Sequence, residues 1–188
     1  MDARSSRPRH GVPSRGRHFL APRSAAELVR AFEVGPADVV VEVGAGTGRL
    51  TRELARSARL VLAIEIDPAL SSKLLRSARS WPNVFVHQGD ALDTRIPGTS
   101  FRVVGNIPFD ITTALLRRIL QIEQVERLDL ITQLETARKR AAARGSVLTV
   151  LWGTEWHFDV RRRIPARSFH PAPSVDAAWL VAERRPQP

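Results

Sequence analysis

Asn106-Ile107-Pro108-Phe109 combines residue types that could act on an aromatic amine. An exocyclic amine conjugated to a purine ring is a poor nucleophile because its lone pair is delocalised. An Asn carboxamide oxygen and a neighbouring backbone carbonyl each accept one N–H bond, drawing that pair out of the ring and aiming it at an electrophilic methyl. Pro108 fixes φ and carries no N–H of its own. Phe109 offers a flat face for an extruded base, which enzymes that work on a base inside a nucleic acid require. The four residues together point to methylation of an adenine amino group.

A donor site is expected about Gly44-Ala45-Gly46-Thr47-Gly48, which follows a β-branched run at residues 39–43. A nicotinamide fingerprint would place glycines at 44, 46 and 49, but position 49 is Arg49 and the third glycine comes early, at Gly48. The spacing favours S-adenosylmethionine, whose adenosyl group needs a close backbone approach and no pyrophosphate cradle. Glu42 would bond the loop amides or the methionine ammonium. Glu65 closes the second strand, where a carboxylate accepts both ribose hydroxyls. Asp67 points the other way and is expected to cap the helix that Pro68 opens. Asp90, in Gly89-Asp90-Ala91, would take the adenine amino group of the cofactor, or simply make an Asx turn.

Phe169, in Phe169-His170-Pro171-Ala172-Pro173, has two readings: it covers the other face of the target base, or it anchors its loop. Arg161-Arg162-Arg163 should alternate along a strand, with at least one arginine facing solvent as a phosphate contact. The tryptophans Trp81, Trp152, Trp156 and Trp179 read as packing residues. The five histidines are too scattered for a metal cluster, and no metal is expected.

These groups are positioned by an alternation of strands and helices. Helical spacing predicts helices at residues 22–32, 68–79, 111–120 and 135–144, and one after the glycine turn to about residue 56. Short apolar runs predict strands at 39–43, 60–64, 84–87, 101–104 and 128–132. Residues 146–152 favour a helix, and two strands at 158–164 and 175–182 flank a proline-rich, exposed functional loop. The expected fold class is α/β, a Rossmann-like, mostly parallel doubly wound sheet with a C-terminal antiparallel strand pair. Its ligands should lie at the carboxyl ends of the strands.

The chain has 188 residues, enough for one domain with a substantial core. It has no cysteine, which excludes a disulfide-stapled secreted domain. No apolar run approaches the roughly 18 residues of a membrane span, and the basic N-terminus lacks a signal's apolar stretch. A cytoplasmic monomer is expected. The net charge is +10, and Lys73 and Lys139 are the only lysines. Arginine grips phosphate as a rigid fork, so a polyanionic partner is favoured. A GC-rich coding sequence accounts for arginine over lysine but not for the excess over acids. Arg4, Arg7, Arg9, Arg15 and Arg17 face the single acid Asp2, so residues 1–17 read as a flexible basic arm for nucleic acid.

In order and spacing, these motifs resemble the rRNA adenine N6-methyltransferases, the family of the erythromycin-resistance (Erm) enzymes and the small-subunit dimethyladenosine transferases. The likeness covers about residues 17–183. It runs from His18-Phe19-Leu20 through the glycine turn, Glu65-Ile66-Asp67, Gly89-Asp90-Ala91 and Gly105 to Phe109, and on to Phe169 through Asp176. The arginine-rich arm and Asn-Ile-Pro-Phe suit the Erm branch. The resemblance implies that His18, Leu20, Gly44, Gly46, Glu65, Asp90 and Asn106 contact S-adenosylmethionine. Asn106 and Phe109 would hold the target adenine, with Phe169 as a second stacking residue. It also implies a methyltransferase domain at 18–188 acting on large-subunit (23S) rRNA and conferring resistance to macrolide-type antibiotics. The alternatives are a small-subunit dimethyladenosine transferase, a DNA adenine methyltransferase and a non-catalytic RNA-binding assembly factor. Two departures stand out. Arg17-His18 replaces the usual Gln-Asn, and the usual C-terminal helical RNA-binding domain is missing from these 188 residues.

Overall fold

The computed structural model describes residues 18–95, 97–142 and 147–186. The arm expected at 1–17 lies outside the described residues, as does the predicted end of the helix at 143–144. The chain opens with a two-residue strand, β1 (Phe19–Leu20), and then α1 (Pro22–Phe32), which starts at a proline and buries Ala25, Leu28, Val29 and Phe32. That is the apolar face the spacing predicts. Next come β2 (Val39–Val43), α2 (Arg49–Leu54), β3 (Leu60–Glu65), α3 (Pro68–Ala78), β4 (Val84–Gln88) and β5 (Phe101–Asn106). The chain continues through α4 (Thr112–Ile119), β6 (Val125–Gln133), α5 (Leu134–Ala141), α6 (Val147–Trp152), β7 (Trp156–Ile164), β8 (Phe169–His170) and β9 (Ala177–Arg184).

Seven strands form one sheet in the order β4-β3-β2-β5-β6-β9-β7. Neighbours from β4 to β6 are parallel, and β9 runs antiparallel to both β6 and β7. β2 is buried along its whole length, as a strand covered on both faces must be. The chain winds outward from β2 in one direction and from β5 in the other, so the topological switch point lies between those two strands. One apolar cluster packs α1, α2 and α3 on one face, and a second packs α4, α5 and α6 on the other. No helix of the described residues is long and apolar enough to cross a membrane.

Three strands extend beyond their apolar runs. β6 begins at Val125 rather than at 128, and β9 runs on to Arg184, because their charged residues pair across the ladder. Arg127 bonds Glu183 and Asp129, and Arg184 bonds Glu155 and lies 4.7 Å over Trp156. β7 begins at Trp156, whose ring is buried. A buried ionic network adds a staple toward the amino ends of β5 and β6. Arg102 donates to the Phe32 and Glu33 carbonyls at the end of α1, to Asp38 and to Asp129. Asp129 also accepts from Arg127 and from Trp179 Nε1.

Candidate active site

The glycine turn and the Asn106 motif leave the sheet side by side, because Val43 of β2 pairs with Gly105 of β5. A Cβ on Gly105 would lie 2.5 Å from the Val43 carbonyl oxygen, so only glycine allows the two strands this register. Gly44, Gly46 and Gly48 all have positive φ, and the turn is tied to β3. Gly44 and Ala45 donate to the Ile64 carbonyl at 2.9 and 3.1 Å, and Gly46 donates to Glu65 Oε2 at 2.7 Å. A Cβ on Gly46 would come within 3.0 Å of the Phe19 ring.

Two carboxylates lie beneath this turn. Glu65 is 6% exposed, and its Oε1 accepts the Asp67 N–H at 2.8 Å. Each oxygen thus has one bond, and a carboxylate has about four acceptor positions, so capacity for two hydroxyls remains. Glu42 is 1% exposed, and its Oε2 has no hydrogen-bond partner among the described residues. Burial pushes its carboxyl up to about 8; Thr51, through its side chain and backbone, opposes the rise, and the charge of Glu65 adds to it. Asp67 caps α3 by accepting the Leu70 N–H at 2.8 Å, as expected. Asp90 makes the Asx turn, with Oδ1 accepting the Leu92 N–H at 2.8 Å; Oδ2 accepts nothing among the described residues.

Asn106 Nδ2 donates to the His18 carbonyl at 2.7 Å. This bond sets the orientation of the amide and leaves Oδ1 as an acceptor. His18 Nδ1 in turn lies 2.8 Å from the Pro171 carbonyl oxygen. β1 pairs with β8, Phe19 opposite His170 and Leu20 opposite Phe169, so the N-terminal segment and the proline-rich loop form one wall beside the Asn106 motif. Arg49 fastens that wall by donating to the Leu20 and Phe19 carbonyls. The narrow cavity inside is lined by Phe19, Leu20, Glu42, Gly44, Arg49 and Asn106, among others. Among the described residues that line it, Glu42 brings a buried acid oxygen without a partner, and Gly44 brings bare backbone. These residues fit a cofactor that carries an ammonium and approaches the main chain closely.

Most of the expected site residues converge here: His18, Leu20, Gly44, Gly46, Glu65, Asp90, Asn106 and Phe109 all lie at the carboxyl ends of β2, β3, β4 and β5 or on the wall over them. Phe109 is half-buried three residues past Asn106. Phe169 is different. Its ring is 6% exposed within the α1-side cluster, so in this conformation it anchors its loop and offers no face to a base. The reason is physical: β8 pairs with β1, and the side chain turns inward toward the core. Arg161, Arg162 and Arg163 do not alternate, because a register shift between Val160 and Arg162 on this edge strand leaves all three exposed. Two of them are engaged, Arg161 with Asp159 and Arg163 with Asp176. Asp176 is held below the usual carboxylate range, first by the Ala166 N–H and then by Arg163.

Ile66 went unremarked in the sequence. It is 44% exposed directly after Glu65, whose carbonyl accepts the Gly89 N–H, and so is an exposed apolar residue where β3 and β4 end. The signal was an apolar residue between two acids, just past a strand end. A larger concavity, about 470 Å³, lies between Pro97, Gly98, Arg118 and Gln124. It is at the amino ends of the strands, away from these groups.

The chain is similar to several known proteins along nearly all of its described length. An rRNA methyltransferase of Streptomyces thermotolerans is 43% identical over 176 residues, 92% of this chain and 59% of that protein. The mycinamicin-resistance protein MyrB of Micromonospora griseorubida is 37% identical, covering 92% of this chain and 56% of its own length. Ribosomal RNA small subunit methyltransferase A of Geobacter sulfurreducens is 36% identical, with 92% and 67% covered. The crystal structure of 23S rRNA methyltransferase ErmE superposes with a TM-score of 0.84 at 37% identity, covering 90% of this chain and 71% of that one. This chain therefore spans little more than half the length of the first two relatives. The model of the ribosomal RNA adenine dimethylase family matches residues 12–188, and the chain belongs to that family.

Proposed function

We propose that this protein transfers a methyl group from S-adenosylmethionine to the N6 amine of an adenosine in large-subunit rRNA, and so protects the ribosome from macrolide-type antibiotics. The observation that carries the reading is the Asn106 carboxamide. Its Nδ2 is committed to the His18 carbonyl, and its Oδ1 is left to accept at the switch point of the sheet. The relatives named for 23S rRNA methylation and for mycinamicin resistance support the choice of large-subunit RNA.

When bound, S-adenosylmethionine supplies an electrophilic methyl on a cationic sulfur. Glu65 holds the ribose hydroxyls with the acceptor positions its two backbone bonds leave over, and Ile66 and Asp90 receive the adenine ring and its amino group. Asn106 Oδ1 and the Pro108 region accept the N–H bonds of the target amine. Phe109 stacks on the target base. No strong base is required, because the amine proton becomes acidic as the N–C bond forms and leaves to water. Positioning supplies most of the acceleration. The reaction belongs in the cytoplasm, where ribosomes are made, and a single copy of the chain holds every group named.

The relative named as a small-subunit methyltransferase supports a second reading, dimethylation of small-subunit rRNA. Mass spectrometry of rRNA from cells with and without the protein separates the two. N6-methyladenosine gained in the large-subunit RNA is the expected result, and gain in the small-subunit RNA alone would establish the second reading. No methyl in either, with folded protein present, would leave a DNA adenine methyltransferase or a non-catalytic RNA-binding role, which methyl transfer to duplex DNA separates.

A further inference from the structure

Glu42 is a buried acid that the methyl-transfer chemistry itself does not use. Its Oε2 is buried with no partner among the described residues, and Glu42 lines the cavity between the glycine turn and Asn106. The charged and titratable groups around it are few. β3 contributes Glu65, which is also acidic. α2 contributes Arg49, whose guanidinium is turned away to the Phe19 and Leu20 carbonyls. The segment before β1 contributes His18, whose Nδ1 is engaged with Pro171. Among the described residues, no cation pairs with Glu42.

We propose that Glu42 is a protonated acid in the donor-free protein and gives up its proton to solvent when the ammonium of the donor's amino-acid end docks against it. The inference rests on the S-adenosylmethionine reading above. The O–H bond of the carboxyl breaks, the proton passes to water, and the resulting carboxylate is neutralised by the ammonium. Burial, with a smaller push from the charge of Glu65, raises the acid to about 8 against the opposing bonds from Thr51, so near pH 7 the free acid is largely neutral. Binding of a fixed cation reverses that preference, because an opposite charge within a few ångströms favours the ionised form. Glu42 is thus a neutral acid when the cavity is empty and one half of an ion pair when it is filled. Donor binding is therefore coupled to pH in a way that adenine and ribose recognition is not.

The test is titration calorimetry of S-adenosylhomocysteine, which keeps the ammonium and lacks the sulfonium charge. It is run near pH 7 in buffers of different ionisation enthalpy. The observed heat should vary with buffer by about 0.9 of a proton released, and affinity should tighten by close to tenfold between pH 6 and 7. Glu42→Gln should bind with heats independent of buffer. 5′-Methylthioadenosine, which has the nucleoside but no amino-acid end, should release no proton from the unaltered protein. Tight binding with buffer-independent heats and a flat pH profile would overturn the proposal and leave the donor reading standing. A proton still released by a folded Glu42→Gln protein would assign it to another group such as His18 and likewise overturn it. Absence of any binding would overturn both. Should the variant not fold, the methylthioadenosine arm and the pH profile decide.

Discussion

Asp129, wholly buried in β6, accepts hydrogen bonds from Trp179, Arg102 and Arg127, whereas Glu42, equally buried two strands away in β2, has an oxygen that accepts none. Both are carboxylic acids under apolar cover, yet only Asp129 has donors on both of its oxygens. Toward the amino ends of the strands the fold commits its buried charges to one another, which ties α1 to β5, β6 and β9. At the carboxyl ends it leaves acceptors open, holds three glycines at positive φ and exposes Ile66. Satisfied buried polar groups secure a fold, while unsatisfied ones cost stability and persist where a ligand completes them.

Substitutions at the two ends should therefore fail in different ways. Asp129→Ala takes the shared carboxylate from buried Arg102 and partly exposed Arg127, and should lower unfolding free energy by about 3–5 kcal/mol in denaturant titrations. Donor affinity of the fraction that remains folded should be little changed. Asn106→Ala should reverse that pattern: folding stability close to the parent, and methyl transfer reduced on the order of 10²- to 10³-fold, as for loss of one preorganised polar group. Phe109→Ala should cost about 1–3 kcal/mol in binding the RNA substrate, read as a raised KM for RNA with donor affinity unchanged.

The pH dependence of stability sharpens the same contrast. The folded protein holds Glu42 protonated up to about 8, while the unfolded chain loses that proton near the ordinary 4.5. The folded state binds the extra proton throughout that window. Glu42 therefore makes stability fall as pH rises from about 4.5 to about 8, by at most about 1.4 kcal/mol per pH unit. Glu42→Gln should flatten this part of the profile measured by denaturant unfolding at several pH values.

Much of the upper end was legible in the sequence because its devices are local. β-Branched runs ending in glycine or an acid mark strands and their carboxyl ends, and the helix over Pro22–Phe32 shows its buried face in the spacing of Ala25, Leu28, Val29 and Phe32. The Arg102–Asp129 network was not legible. A charged residue in a strand looks like a solvent-facing one until its partners, which lie on α1, β6 and β9, are folded against it. The β1–β8 ladder was equally hidden, since two residues carry no period and the contact between His18 and Pro171 spans 153 positions. That ladder pairs Leu20 with Phe169, whose side chain is buried in the core. Ile66 was visible but unexplained, as its exposure is a property of the folded edge.

The central claim is that the open acceptors at the carboxyl ends of β2 to β5 form the donor site. The most direct test follows backbone amide resonances of the labelled protein while S-adenosylhomocysteine is added. Saturable shifts are expected at Gly44 to Gly48, Glu65 to Asp67, Asp90 to Leu92 and Asn106, with Arg102 and Asp129 unmoved. No shift at saturating ligand, or shifts centred on the concavity near Pro97 and Arg118, would contradict it.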